Sequence, residues 1–176
     1  MVDRPIIFSS PMVRALLSKR KTQTRRLASS PLAKCRPGDR LWVRETWAPT
    51  CRIQDDRLRR TVMDDGDQVI YPDMVAGHLI RWRPSIHMPR WASRLTLVVS
   101  DVRFQRLQEI SEDDAWAEGV IVPDDIADHP GLGDKFTMAY VRFWNSLYGN
   151  DAWAVNPPVV ALTFAVHYAN IDGGAV

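Results

Sequence analysis

The 176-residue chain is predicted to have an α+β fold, in which a curled antiparallel sheet is flanked by helices. Three observations lead to this prediction. Strand-like segments outnumber the long helical ones, the helices do not alternate regularly with the strands, and no internal repeat or domain linker is found. We therefore expect one domain that spans residues 1–176.

The first part of the chain predicts a strand, a helix and a second strand. Residues 5–8, PIIF, form a short apolar run typical of a buried strand. Pro11 suits the first turn of a helix whose apolar residues recur at i, i+3 and i+4, and this helix is expected to end near Lys19. A basic polar segment follows. The turn sequence at 37–39 then leads into an alternating strand at 41–47.

The middle of the chain predicts one long strand between two irregular stretches. Residues 52–78 are polar and charged, and we expect a hairpin or excursion with 69–71 as its returning arm. Residues 79–94 contain two prolines, which disfavour any long regular element. Residues 95–107 carry the clearest strand pattern in the chain.

The last part predicts two helices and a strand. Ser111 is expected to cap a short helix that ends at Gly119, because three acidic residues follow it in the first turn. Residues 120–134 are predicted to be a loop. An amphipathic helix over 135–149 and a strand over 159–168 complete the chain.

Composition excludes several classes of protein. Apolar residues make up 45% and charged residues 25%, which is typical of a globular chain. No apolar run reaches the ~20 residues of a membrane-spanning helix, and the N-terminus lacks a secretory pattern, so we expect a cytoplasmic protein that does not enter the membrane. No CxxC pair occurs and the histidines are scattered, which argues against a structural zinc site.

The net charge of +2 hides a strong asymmetry along the chain. Residues 1–60 contain 15 Lys and Arg against 5 Asp and Glu, whereas residues 61–176 contain 8 against 16. A basic half favours an anionic partner, for which phosphate is the obvious chemistry. The alternative is that the two halves neutralise each other across one fold, and charge alone does not decide between them.

The segment from Ser18 to Arg26 concentrates cations and hydroxyls at a predicted helix end. Neighbouring arginines should lower the pKa of Lys21, which could then act as a general base towards Thr24 or a water. Such a pair needs a non-extended backbone, because side chains three apart in a strand point to opposite faces. The alternative is a solvated basic helix end, where cations complement the helix dipole.

Two further features are candidates for function. Glu118 lies in the last predicted turn of its helix, where a carboxylate opposes the helix dipole, although an exposed glutamate there would cost little. Trp82, Trp91 and His87 are interleaved with arginines such as Arg90, a pattern typical of surfaces that stack bases and hold a nucleic-acid backbone. The alternative is that these tryptophans belong to the core.

Taken together, these segments resemble the ASCH family, a branch of the PUA-like barrels. The matching features are the helix ending in SKRKTQTRR, the turn PGDRLWVRE, and ISEDDAWAEGV before the last helix. The family pattern Gly-x-Lys-Thr-x-Thr-x-Arg corresponds to residues 19–26, with Lys19 where glycine is common. The whole chain is similar to longer ASCH-like proteins associated with phages and prophages. Stretches near 52–78 and 121–134 look like insertions.

The resemblance implies a fold, a reaction and a set of site residues. The fold is a PUA-like barrel, and the reaction is that of the small amidohydrolases that deacylate N4-acetylcytidine. By this resemblance Thr24 is the nucleophile, Lys21 activates it, and Glu118 assists proton transfer or orientation. The residues expected to bind a nucleoside or RNA are Arg20, Arg25, Arg26, Glu45, Trp82, His87, Arg90 and Trp91.

The resemblance does not fix one activity, because one fold can carry several. Other ASCH proteins are RNA binders or ribonucleases, and both activities are kept as alternatives. The amidohydrolase needs no cofactor or metal, whereas a divalent metal is expected only for a ribonuclease. The expected partner is a nucleoside or RNA, and the oligomeric state is left open.

Overall fold

The computed structural model describes residues 1–56, 59–74, 81–127 and 134–173, and for 50–56 and 59–68 it describes the backbone alone. The strands in these residues are β1 (Asp3–Ile7), β2 (Gln23–Leu27), β3 (Arg40–Arg44), β4 (Ala48–Asp56), β5 (Arg59–Ile70), β6 (Thr96–Arg106) and β7 (Pro158–His167). The α-helices in these residues are α1 (Ser10–Leu17), α2 (Glu112–Ala117), α3 (Asp124–Ala127) and α4 (Lys135–Tyr148).

Five strands form one sheet in the order β1-β3-β6-β7-β2, and β4 pairs with β5 in a separate two-stranded sheet. The predicted α+β class is confirmed. The large sheet is mixed rather than wholly antiparallel, because β1 runs parallel to β3. A parallel pair needs a long crossover, and α1 together with β2 supplies it here.

The two edges of the large sheet are β1 and β2, and no strand pairing joins them in the described part of the chain. The Arg26 side chain spans this gap. Its Nη1 donates to the carbonyl of Arg25 at 3.0 Å, and its Nη2 donates to the carbonyl of Ile7 at 3.1 Å. In the described strands the edges β1 and β2 are bridged by a guanidinium rather than by strand pairing, so the closed, curled barrel expected from the sequence is not confirmed.

The core lies on both sides of the sheet. Leu16 of α1 packs with Val43, Leu97 and other apolar residues of the central strands. Helix α4 packs through a second cluster that includes Trp144 and Val159. Among the described residues, no helix has both the length and the apolar content that crossing a bilayer requires.

Two elements differ from the sequence prediction. The basic polar segment contains strand β2, which pairs along its whole length with β7 from Gln23 opposite Thr163 to Leu27 opposite Val159. Its inward side chains are charged and polar, so the apolar alternation that marks a strand is missing. The predicted loop at 120–134 contains the short helix α3, and residues 128–133 lie outside the described part.

The predicted hairpin is present as β4 and β5, which pair from Ala48 opposite Ile70 to Asp56 opposite Arg59. Residues 57–58 and 75–78 of the predicted excursion lie outside the described residues. Downstream, the described residues 81–94 of the proline-containing stretch form two short 3-10 turns and an isolated β-bridge between Arg83 and Trp47. The prolines in this stretch explain the absence of a longer helix in its described residues, because a proline has no N–H to donate to a helical hydrogen bond.

Helix α1 ends in a reversal that passes through Lys19, whose φ is +59°. This is the left-handed conformation that glycine adopts at helix ends without steric cost. Lys19 occupies the position where the ASCH pattern commonly has glycine, so the backbone keeps a glycine-like shape despite the lysine.

We therefore expect Lys19→Gly to be more stable than Lys19→Ala by about 1 kcal/mol. Both substitutions remove the charge and the long side chain, and they differ in the cost of the left-handed backbone. The free energy of unfolding in urea measures this difference. Equal stability of the two variants would contradict the proposed strain.

Candidate active site

The end of α2 and the chain after α1 are held together by backbone contacts. Thr22 N–H donates to the carbonyl of Ala117 at 2.9 Å, next to the α2 C-cap residue Glu118. Gly119 then turns the chain with φ +75°. A Cβ on Gly119 would lie 2.8 Å from Lys21 Cβ and 2.9 Å from Ala15 Cβ, so a side chain at this position would overlap both.

The Lys21 side chain lies in this contact and is 1% exposed. Its Nζ donates to Glu118 Oε2 at 2.9 Å, to the Glu118 carbonyl at 2.8 Å and to the Gln23 carbonyl at 2.8 Å. An ammonium has three N–H donors, and all three are used here. The bond to the Glu118 carbonyl also places a cation at the C-terminus of α2, which offsets the unfavourable placement of the carboxylate.

Burial lowers the pKa of Lys21 below its ordinary value, while the charge and hydrogen bond of Glu118 act in the opposite direction. Arg26 and Arg25 lower this pKa further, in that order. A lowered pKa of Lys21 was also expected from the sequence. The sequence argument, however, attributed the shift to like charges, whereas the largest cause is desolvation.

Arg25 is a second buried cation beside Glu118. Its Nη1 donates to Glu118 Oε1 at 3.2 Å and to Gln23 Oε1, and its Nη2 donates to Asp114 Oδ2 at 2.6 Å. Each carboxylate oxygen of Glu118 thus has one cationic donor, Lys21 on one side and Arg25 on the other. A buried carboxylate with this coordination has its charge compensated on both oxygens.

Asp114 anchors this network from the first turn of α2. It accepts from Arg25 and also from Arg103, at 2.9 Å. Partial burial acts to raise the pKa of Asp114, but the hydrogen bond from Arg103 and the charge of Arg25 outweigh it and hold the pKa below its ordinary value.

Thr24 lies on β2 and is fully buried. Its Oγ1 accepts a hydrogen bond from Arg26 Nη1 at 2.9 Å. The strand alternation turns Gln23 and Arg25 towards Asp114 on α2, and puts Thr24 and Arg26 on the other face. The sequence prediction required a non-extended backbone for a Lys21–Thr24 pair. The backbone is extended from residue 23, where β2 begins, and Lys21 lies before the start of this strand.

These residues meet at one cleft of about 380 Å³, a size within the ~300–1,000 Å³ typical of small-molecule sites. Its polar lining includes Lys21, Thr24, Arg25, Arg26 and Glu118. The lining also includes apolar and aromatic side chains, which come mainly from α4 and the end of β1: Phe8, Tyr140, Phe143, Trp144, Leu147 and Tyr148.

The aromatic lining includes a close ring pair, because the centroids of Trp144 and Tyr148 are 4.4 Å apart with planes tilted by 34°. Tyr148 is partly exposed at this wall, whereas Tyr140 is buried. Burial raises the pKa of Tyr140 well above its ordinary value, and the charge of Glu118 adds to this effect. Tyr140 is therefore a neutral phenol beside the charged cluster.

Several predicted binding residues lie outside this cleft. Arg20 donates to Ser18 Oγ and to the Gly119 carbonyl. Glu45 is buried and accepts two hydrogen bonds from Arg94, at 2.9 Å each. Arg90 binds Asp3 and Asp172.

The predicted aromatic residues also lie away from the cleft. Trp91 packs edge-to-face on Trp47, with centroids 6.1 Å apart. Trp82 and His87 line a second cleft. Of the eleven predicted site residues, the first cleft brings together Lys21, Thr24, Glu118, Arg25 and Arg26.

Sequence reasoning missed three residues of the site. Asp114 was interpreted only as a helix-dipole partner, yet its i, i+4 spacing to Glu118 puts both carboxylates on one helix face and could have signalled their cooperation. Gly119 was interpreted as a helix stop, and Gln23 drew no notice. Gln23 is only two residues from Lys21, whereas no pattern within the sequence brings Asp114 and Gly119 towards it, because the contact between Lys21 and Glu118 joins segments 97 residues apart.

Within the described residues, no group of three or more His, Cys, Asp or Glu side chains is arranged to hold a metal ion. The carboxylates nearest the cleft, Glu118 and Asp114, are bound to lysine and arginine instead.

Comparison with known proteins gives two solved structures of similar shape. The hypothetical protein PH0355 is 11% identical with a TM-score of 0.47, and the match covers 95% of this chain and 100% of that one. EF3133 from Enterococcus faecalis V583, of the family DUF984, is 12% identical with a TM-score of 0.46, and the match covers 100% of this chain and 86% of that one. No protein-family model matches the sequence, and no curated protein matches it.

Proposed function

We propose that the chain is a PUA-like hydrolase of the ASCH type that removes an acyl group from N4 of an acylated cytidine or a related modified nucleoside. One observation carries this proposal: Lys21 and Glu118, far apart in sequence, are in direct contact at a cleft that Thr24 also lines. The aromatic side chains that line the same cleft suit a planar base, which stacks on aromatic rings.

The reaction proposed is amide hydrolysis through a covalent intermediate. Thr24 Oγ1 attacks the acyl carbonyl, its proton passes to a base, and the C–N bond breaks as the leaving nucleoside nitrogen takes a proton. Water then hydrolyses the threonine ester and releases the acid. Arg26 donates to Thr24 Oγ1 and lines the cleft, so its guanidinium is the group best situated to stabilise the negative charge that develops on the carbonyl oxygen.

Lys21 can accept the Thr24 proton only after it has given up one of its own, because a charged ammonium has no lone pair to accept a proton. Glu118 Oε2, 2.9 Å from Nζ, is the acceptor within reach for that proton. Burial favours a neutral amine and so eases this first transfer. Glu118 thus has the assisting role in proton transfer, and Arg25 keeps its other oxygen in place.

The proposal is tested with N4-acetylcytidine and variants of Thr24. Thr24→Val keeps the size of a fully buried side chain and removes the hydroxyl, so we expect kcat to fall by roughly 10²-fold or more, whereas Thr24→Ser should retain turnover. Deacetylation followed by the absorbance change of the base measures both. The proposal would be contradicted if the wild-type protein hydrolysed none of a panel of N4-acylated nucleosides.

A non-catalytic RNA-binding module is the second candidate, and the engagement of all three Lys21 donors favours it. It predicts RNA binding that weakens with salt and survives Thr24→Val unchanged. Cleavage of RNA that EDTA abolishes would instead indicate the ribonuclease alternative, the one activity for which a divalent metal is expected.

A further inference from the structure

A second cleft, of about 480 Å³, lies beside the proposed active site. The described residues that line it are Arg81, Trp82, Arg83, Pro84 and His87. They include two guanidinium groups, an imidazole and an indole, and no carboxylate. Guanidinium groups bind phosphate in a matched bidentate geometry, and an indole offers a surface on which a base stacks.

The segment that forms this cleft is held firmly to the fold. Trp47 and Arg83 exchange two backbone hydrogen bonds of 3.2 and 2.8 Å, and the Arg83 guanidinium lies 5.0 Å from the centre of the buried Trp47 ring. A 3-10 turn follows, in which His87 N–H donates to the carbonyl of Pro84 at 3.0 Å. A site on such a segment is largely formed before a ligand arrives.

The two clefts share a border. Ser85 lines the first cleft, whereas Pro84, its neighbour in the chain, lines the second. Neighbouring Cα atoms are about 3.8 Å apart, so the linings of the two clefts adjoin at this point of the chain. Arg44 Nε donates to the Ser85 carbonyl at 3.0 Å and fixes this border.

We propose that the second cleft binds a phosphate ester on the ribose of the substrate, so that the substrate is a nucleotide or an RNA strand containing the acylated cytidine rather than the free nucleoside. The inference rests on the proposed function, since the base would occupy the first cleft. Arg81 and His87 are exposed and available to the phosphate, and Trp82 is half-buried beside them.

Kinetics with three substrates test this inference. N4-acetylcytidine, its monophosphates and a short single-stranded RNA with one N4-acetylcytidine are compared by kcat/KM. A phosphate held by a guanidinium should raise kcat/KM by about tenfold over the nucleoside at low salt. This advantage should shrink as salt is added. The monophosphates and the RNA separate the two sources of phosphate, and equal kcat/KM for all three substrates would overturn the inference.

Matched arginine variants locate the effect. Arg81→Ala should bring the ratio of kcat/KM between phosphorylated and free substrate close to one. Arg106→Ala, which removes an exposed arginine that lines neither cleft, should leave that ratio as it is in the wild type. A ratio that falls equally in both variants would indicate general charge attraction and would contradict a phosphate site in the second cleft.

Binding measurements keep the inference separate from the proposed reaction. If no substrate is deacylated, the proposed function fails, and fluorescence anisotropy of a labelled single-stranded RNA then tests the phosphate site alone. Binding weakened by Arg81→Ala and unaffected by Arg106→Ala would support it. Binding that is unchanged by Arg81→Ala, or absent in the wild type, would overturn it.

Discussion

Glu118→Ala is expected to lower the free energy of unfolding by about 3–5 kcal/mol and to abolish deacylation. The side chains of Lys21 and Arg25 are 1% and 0% exposed, and Glu118 is the carboxylate that contacts both. Its removal leaves two cations away from water with one compensating carboxylate, Asp114, which forms an ion pair with Arg25 but not with Lys21. The measurement is urea unfolding followed by tryptophan fluorescence.

Lys21→Met is the matched control for this prediction. It removes a buried cation, keeps similar side-chain volume, and leaves Glu118 paired with Arg25. Because the desolvation cost of the ammonium disappears with it, the loss of stability should be smaller than for Glu118→Ala. Both variants should be inactive in the deacylation assay. A Lys21→Met variant less stable than Glu118→Ala would contradict this account of the charge balance.

Gly119→Ala is expected to lower the free energy of unfolding by about 2–4 kcal/mol, from the left-handed backbone and from overpacking together. The added methyl would lie 2.8 Å from Lys21 Cβ and 2.9 Å from Ala15 Cβ, and neither atom is the flexible end of a side chain. Relief would require α2 to move away from α1, which would lengthen the bonds between Lys21 and Glu118. Activity should therefore fall along with stability.

Gly38→Ala separates the two causes. Gly38 has φ +88° and no atom within 4 Å of the position a Cβ would take. Gly38→Ala should lower the free energy of unfolding only by the cost of the left-handed backbone, about 1–2 kcal/mol, and should leave turnover as in the wild type. An equal decrease in the free energy of unfolding for Gly119→Ala and Gly38→Ala would contradict a contribution from the close packing at Gly119.

The elements that apolar periodicity marks were predictable from the sequence. Helix α4, strand β6 and strand β7 lie within two residues of their predicted positions, because each has a face that packs in the core. Strand β2 was not predictable in this way. Gln23 and Arg25 of this strand are buried against a carboxylate rather than against apolar side chains. A search for hydrophobic periodicity therefore does not detect the strand.

The candidate site was predictable only in part. The contact between Lys21 and Glu118 was expected from the resemblance to the ASCH family, and the sequence alone offered nothing that links positions so far apart. Arg25 was predicted as a ligand-binding cation, whereas the structure engages it with Glu118 and Asp114. The Arg and Trp residues at 81–91 were predicted as one surface, but Arg90 is bound to acidic residues and Trp91 packs on Trp47.

The gap between the edge strands β1 and β2 has a consequence for ligand binding. Ile7 and Phe8 at the end of β1, and Thr24 to Arg26 on β2, face the same cleft. A molecule bound in this cleft would contact both edge strands. It would therefore add contacts between β1 and β2, where the described residues form no strand pairing. Binding of such a ligand is thermodynamically linked to folding, so the free energy of unfolding rises with the affinity and the concentration of the ligand.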